Sequence, residues 1–140
     1  MLKNIFKKEK KSSPYNNILI AALLIHAARI DENYTEAEKK IIIKAIMDLN
    51  KFNYDQSEKI LHEAEKKEEE SNQIVEFTRE IKKHSIEFRL KVIEIIWKIV
   101  YSDGTSDNYE SNLIRRICGL LYISDKDNGI IKTKVINQSK

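Results

Sequence analysis

The stretch WKIVYSDGTSDNYESNLIRRICGLLY, Trp97–Tyr122, decides the fold. A run of apolar residues at helical spacing ends at an Asp103-Gly104 turn, a strong local break signal. Asp107 is a good helix N-cap and Glu110 stands three residues later, the spacing of a capping box. Leu113, Ile114, Ile117, Leu120 and Leu121 then resume the helical period. The same order occurs earlier, in HAARIDENYTEAEKKIIIKAIMDL, His26–Leu49. Laid with Asp31 on Asp103, the two stretches are offset by 72 residues, and Glu38 falls on Glu110 without a gap. The chain reads as two helix-turn-helix halves, each carrying an Asp and, seven residues on, a Glu.

Working outward, the other segments are helical too. Tyr15–Ile30 is apolar on nearly every side and predicts a centrally buried helix. It superficially resembles the core of a secretory signal, but His26 and Arg29 cut the apolar run short of the roughly 18 residues needed to span a membrane. At the repeat offset the apolar run Ile18–Ile25 also aligns with Leu90–Trp97, which makes it part of the fold. Thr35 and Glu38 form a T-x-x-E box opening a helix over Glu36–Asn50. After a short loop at 51–54, Asp55 or Ser57 starts a helix that runs into the charged segment Glu65–Glu70, which reads as a solvated helix end because both signs mix in it. Ser71–Lys83 reads as a fourth helix, with Ile74, Val75, Thr78 and Ile81 on its apolar side. Ser85 begins a fifth, through Ile86, Leu90, Val92, Ile93, Ile96, Trp97 and Val100, and Ser124 or Asp125 a last, weaker one through Ile130, Ile131, Val135 and Ile136.

Composition agrees with an all-α fold. Three glycines and one proline in 140 residues leave few turns, and a chain of this length buries about two-thirds of its unfolded surface without metal or disulfide staples. The single cysteine, Cys118, lies in an apolar helical run and reads as a core side chain in a reducing compartment. The net charge of +3 is unevenly placed: residues 1–11 carry five lysines against Glu9, leaving the body near neutral. The tail, residues 1–14, with Leu2, Ile5 and Phe6 among those lysines, reads as a flexible basic terminus and a candidate contact with an anionic membrane surface, and residues 15–140 as the folded domain. The mixed charge of the body, in which acidic residues surround the pairs Lys39-Lys40, Lys82-Lys83 and Arg115-Arg116, argues against nucleic-acid binding.

The four carboxylates Asp31, Glu38, Asp103 and Glu110 are the candidate metal ligands. Each Asp stands at a helix C-terminus, where an anion opposes the helix dipole, and each Glu opens the next helix. If the halves are related by a pseudo-twofold axis, four carboxylates approach one another and repel unless a cation joins them; oxygen-only ligands favour Ca²⁺, Mg²⁺ or Mn²⁺. The competing reading is purely structural, with Glu as cap and Asp as turn residue. Sharper sites are excluded. Asp103, Thr105 and Asp107 imitate an EF-hand, but Asn108 stands at its glycine position and Ile114 at its terminal glutamate position. No Glu-x-x-His occurs for a di-iron bundle, no phosphate-binding glycine loop and no nucleophile elbow, and His26, His62 and His84 share no motif. With no nucleophile, base and orienting group in evidence, the expectation is a non-enzymatic protein.

The segment SDGTSDNYE, its degenerate earlier copy IDENYTEAE, and the ending LLYISDKD at Leu120–Asp127 together resemble the TerB-like, tellurite-resistance protein B-like, helical domains. The resemblance spans about Asn17 to Val135. It implies a single compact bundle of about seven helices with duplicated halves, a role in bacterial stress-response or membrane-associated assemblies, a protein partner, and divalent metal at Asp31, Glu38, Asp103 and Glu110. The first copy departs from the pattern, with Glu32 where the second has Gly104. Some relatives are fused to a J-domain co-chaperone, but these 140 residues hold no His-Pro-Asp and their one proline is Pro14, so that activity is not carried over. The expected setting is the cytoplasm, with the tail at the inner face of the membrane and the chain acting as a cation-binding module or as an interaction scaffold.

Overall fold

The structure is a computed structural model and describes residues 14–30, 34–71, 73–102 and 108–138, with side chains from residue 16 in the first segment and from 111 in the last. Among these residues all regular structure is helical: α1 Pro14–Ala28, α2 Glu36–Asn50, α3 Tyr54–Glu70, α4 Ile74–Ile81, α5 Ile86–Val100, α6 Asn108–Leu120 and α7 Asp125–Gln138. The basic tail at 1–13 and the two Asp loops at 31–33 and 103–107 lie outside the described residues.

The centre is α1. Leu19 through Ile25, with Ala27 and Ala28, are all buried, and the helix packs against α2, α3, α4, α5 and α6. An apolar residue on every side leaves such a helix no face to give to water, so neighbours must enclose it. The second apolar axis is α5, whose Val92, Ile93, Ile95, Ile96, Trp97, Ile99 and Val100 are buried against α1, α2, α6 and α7. Leu113, Ile114, Ile117 and Cys118 of α6 complete the core, and α7 adds Ile131 and Val135. Cys118 is a core thiol, and burial pushes its pKa up to about 12.

Local chemistry sets the helix ends. The Thr35–Glu38 capping box opens α2 over the residues expected of it. The start of α3 differs from expectation: Asn53 is its N-cap, accepting from the Gln56 amide while the Gln56 side chain accepts from the Asn53 N–H. This box outcompetes Asp55 and Ser57, and Ser57 is fully buried inside the helix. The fourth helix is shorter than expected. Ser71 and Gln73 are extended at one end, and Lys82-Lys83 turn at the other, so only Ile74–Ile81 remains. Its buried face is Ile74, Phe77, Thr78 and Ile81, the i, i+3, i+4, i+7 stripe, whereas Val75 is exposed. The Thr78 hydroxyl donates to the Ile74 carbonyl at 2.8 Å, which lets it sit in the core.

Polar side chains bind the second half together. Arg89 of α5 donates to the Leu121 carbonyl at 2.7 Å, satisfying the end of α6 with a cation, and to the His84 carbonyl at 3.2 Å. Trp97 Nε1 donates to Asn128 Oδ1 of α7 at 2.9 Å, and Lys132 sits 5.3 Å from the Trp97 ring centroid. Glu94 of α5 receives Lys134 of α7 at 2.9 Å and Lys98 at 3.2 Å. Burial pushes the Glu94 carboxyl up, but these hydrogen bonds outweigh it and hold the group below the usual carboxylate range.

Among the described residues, two that are not glycine are left-handed, and both sit just past helix ends. Lys51 (φ 57°) follows α2, and Tyr122 (φ 58°) follows α6, where the Ile123 N–H reaches back to the Cys118 carbonyl at 2.9 Å in a Schellman closure. That position suits glycine, yet the chain places glycine inside α7 at Gly129, where a Cβ would meet open space. Two substitutions are therefore expected to stabilise the fold by about 0.5–1 kcal/mol each in urea unfolding: Tyr122→Gly, which relieves the left-handed Cβ at a side chain already 71% exposed, and Gly129→Ala, which removes a helix-interior glycine.

Candidate functional site

Of the four candidate ligands, the structure describes the side chain of one. Asp31 and Asp103 lie outside the described residues, and Glu110 is described only as backbone in the first turn of α6. Glu38, in the first turn of α2, is 4% exposed. Its Oε1 accepts from the Thr35 N–H at 2.7 Å and the Thr35 hydroxyl at 3.1 Å, while the Glu38 N–H donates to Thr35 Oγ1 at 3.1 Å. The cap thus fixes the carboxylate at the point where the Asp31 loop joins α2. Among the described residues, no three His, Cys, Asp or Glu side chains are grouped so as to hold a metal ion.

Beside this cap lies a charged knot that the sequence reading missed. Glu68, read as part of a solvated helix end, is buried in α3. One of its oxygens takes Arg29 Nη1 and the other lies 3.1 Å from His26 Nδ1, so the two residues that interrupt α1's apolar run both close on one carboxylate. Arg29 also reaches Glu69 at 3.5 Å. The Tyr34 ring is flanked by two cations, with the Arg29 guanidinium 5.1 Å and Lys39 Nζ 5.0 Å from its centroid. Burial first, then the Glu65 carboxylate, raises the Tyr34 hydroxyl pKa well above its ordinary value. Glu65 in turn lies 3.3 Å from His62 Nδ1. The available signal was the i, i+3 spacing of His26 and Arg29 on an otherwise apolar helix, which demands an acidic partner from elsewhere in the chain.

A different kind of surface lies between α2 and α5. The two helices leave a groove of about 380 Å³ lined by Ile41, Lys44, Ala45, Asp48, Leu49, Lys91, Ile95 and Lys98.

The family model described as tellurite resistance protein TerB matches residues 17–133. The chain belongs to the TerB family. The matched span takes in α2 through α6 and most of α1 and α7, so family and fold describe the same unit. Comparison with curated proteins and with solved structures gives no significant match. In this TerB domain one cluster of polar contacts stands where α1, α2 and α3 meet.

Two measurements check this account of the knot. Glu68→Ala strands the Arg29 cation and is expected to cost about 3 kcal/mol in chemical unfolding, whereas Glu69→Ala, whose side chain is 67% exposed, stays within about 0.5 kcal/mol. The raised Tyr34 pKa makes the folded state hold its proton where the unfolded chain releases it. Stability is therefore full below about pH 10 and falls as pH rises beyond it; Tyr34→Phe should flatten that alkaline limb in pH-dependent unfolding.

Proposed function

We propose that this TerB domain is a non-enzymatic binding module of a bacterial, tellurite-resistance-like stress response, and that its two Asp-to-Glu loops hold a divalent cation. The observation that carries the reading is Glu38. It is a buried carboxylate oriented in advance by Thr35 in the first turn of α2, seven residues after Asp31 in sequence, and its counterpart Glu110 occupies the first turn of α6, seven after Asp103. Burying an anion is costly unless hydrogen bonds compensate it; Thr35 supplies two of these to Glu38, and a divalent cation shared by Glu38 with Asp31, and by Glu110 with Asp103, is the further partner proposed here. Oxygen ligands of this kind favour Ca²⁺, Mg²⁺ or Mn²⁺.

The non-enzymatic part is supported by how the reactive side chains are engaged. His26 is held by Glu68, His62 lies against Glu65, and His84 stacks on Phe88 at 4.3 Å between ring centroids. The Cys118 thiol is buried and kept protonated. No helix among the described residues is long and apolar enough to cross a membrane. We place the module in the cytoplasm, with the lysine-rich residues 1–11 able to meet an anionic inner membrane face. The α2–α5 groove favours a second reading, an interaction scaffold in which the acidic residues only cap helices.

Calorimetric titration of Ca²⁺, Mg²⁺ and Mn²⁺ into metal-stripped protein separates the two, run beside an Asp103→Asn, Glu110→Gln double variant. Saturable binding that the variant loses is the expected result. Absence of binding heat for all three ions in folded protein reduces the four carboxylates to caps and turn residues and leaves the scaffold reading.

A further inference from the structure

The α2–α5 groove has a definite pattern of shape and charge. Ile41, Ala45 and Leu49 recur every four residues and so form one row along α2, about 12 Å long at the rise of a helix, with Ile95 of α5 beside it. Ile41 and Leu49 are half-buried in the free chain, while Ala45 and Ile95 form the buried floor. A strip of this length and spacing fits roughly two turns of another helix, laid in by its own apolar residues at i, i+4 and i+7 or i+8.

The rim selects the sign of the occupant. Lys44, Lys91 and Lys98 stand around the floor with one carboxylate, Asp48. The carboxylate behind them, Glu94, is already divided among Lys134, Lys98 and Lys91, at 2.9, 3.2 and 3.9 Å. Three rim lysines therefore stand with two carboxylates, of which Glu94 is also drawn on by Lys134 of α7, and exposed Lys44 makes no ion pair among the described residues. A basic segment is repelled here, including the chain's own residues 1–11 with five lysines against one glutamate. A flat anionic membrane would meet the lysines but leave the concave apolar row unfilled.

We propose that this groove docks an acidic amphipathic helix of a partner protein, with its apolar residues on the Ile41–Ala45–Leu49 row and its carboxylates against Lys44, Lys91 and Lys98. The assignment stands apart from cation binding at the Asp loops and uses none of those residues. The helix fills the apolar strip, and its acidic flanks complete the lysines that Glu94 and Asp48 leave in excess.

The test uses the full chain and a fluorescein-labelled designed helix with leucine every three or four residues and glutamate on both flanks, read by fluorescence anisotropy. A companion peptide carries lysine in place of each glutamate. The acidic peptide should bind saturably and the lysine peptide should not. Lys44→Glu, at an exposed side chain that the fold does not need, should weaken the acidic peptide about tenfold while leaving the circular-dichroism melt unchanged. Leu49→Ala should weaken it independently of charge. The proposal fails if the acidic peptide gives no saturable change, if both peptides bind alike, or if Lys44→Glu leaves binding intact. Two further results overturn it in favour of another occupant: co-sedimentation with phosphatidylglycerol-containing vesicles that Lys44→Glu abolishes while no peptide binds, or concentration-dependent dimerisation that Lys44→Glu abolishes.

Discussion

A helix without a polar face persists in water only when other helices surround it, and α1 sets this condition for the whole domain. Nine of its residues between Leu19 and Ala28 are buried, and five of the other helices touch it. The remaining helices are amphipathic to the degree that their place demands. In α4 the apolar stripe is narrow and the helix short, because only one side meets α1. In α5 the buried face is broad, because α1, α2, α6 and α7 all lean on it. The fold is the set of positions in which enough apolar stripes close around one apolar rod.

Leaving that core is the harder problem, and the charged knot is how the chain solves it. His26 and Arg29 sit where α1 runs out towards the surface, still partly enclosed by α3. An isolated guanidinium there would be costly, and Glu68 makes it tolerable by meeting it from the facing helix. The same contact aligns the C-terminal ends of α1 and α3 and places Tyr34 between Arg29 and Lys39, which steadies the chain between the first Asp loop and α2. The entry of the chain into α2 at Tyr34 and Thr35 therefore leans on a pair formed 39 residues apart in sequence.

What the sequence discloses follows the range of the interaction involved. Thr35, Glu38, Ser85 and the apolar runs act within one or two helical turns, so the bounds of α2 and α5 and the core role of Cys118 were readable from local spacing. Asn53 acts at the same range but was overlooked because Asp55 and Ser57 offered competing caps. The burial of Glu68 could not be read from Glu65–Glu70, since a mixed charge run looks the same whether one member faces water or a distant arginine. Phe77 is buried and Val75 exposed because Phe77 stands at i+3 from Ile74, on the i, i+3, i+4, i+7 stripe, whereas Val75 at i+1 is turned about 100° away from it. The groove belongs to neither helix alone and appears only when α2 and α5 are set side by side. Of the candidate ligands, Glu38 was legible as a cap, and that is the role its described hydrogen bonds show.

The attachment of α7 has a dynamic corollary. This helix contributes only Ile131 and Val135 to the buried core and packs on α5 and α6 without extensive contact with α1. Much of its hold is polar, through Asn128 on Trp97 and Lys134 on Glu94. Water can replace such bonds, so their loss costs far less than exposing an apolar face. The Glu94 share weakens further as pH falls through its depressed pKa, when the carboxylate takes up a proton. With so small an apolar share, α7 has the character of a unit that opens by itself, and its amides are expected to exchange with solvent ahead of those of α1 and α5.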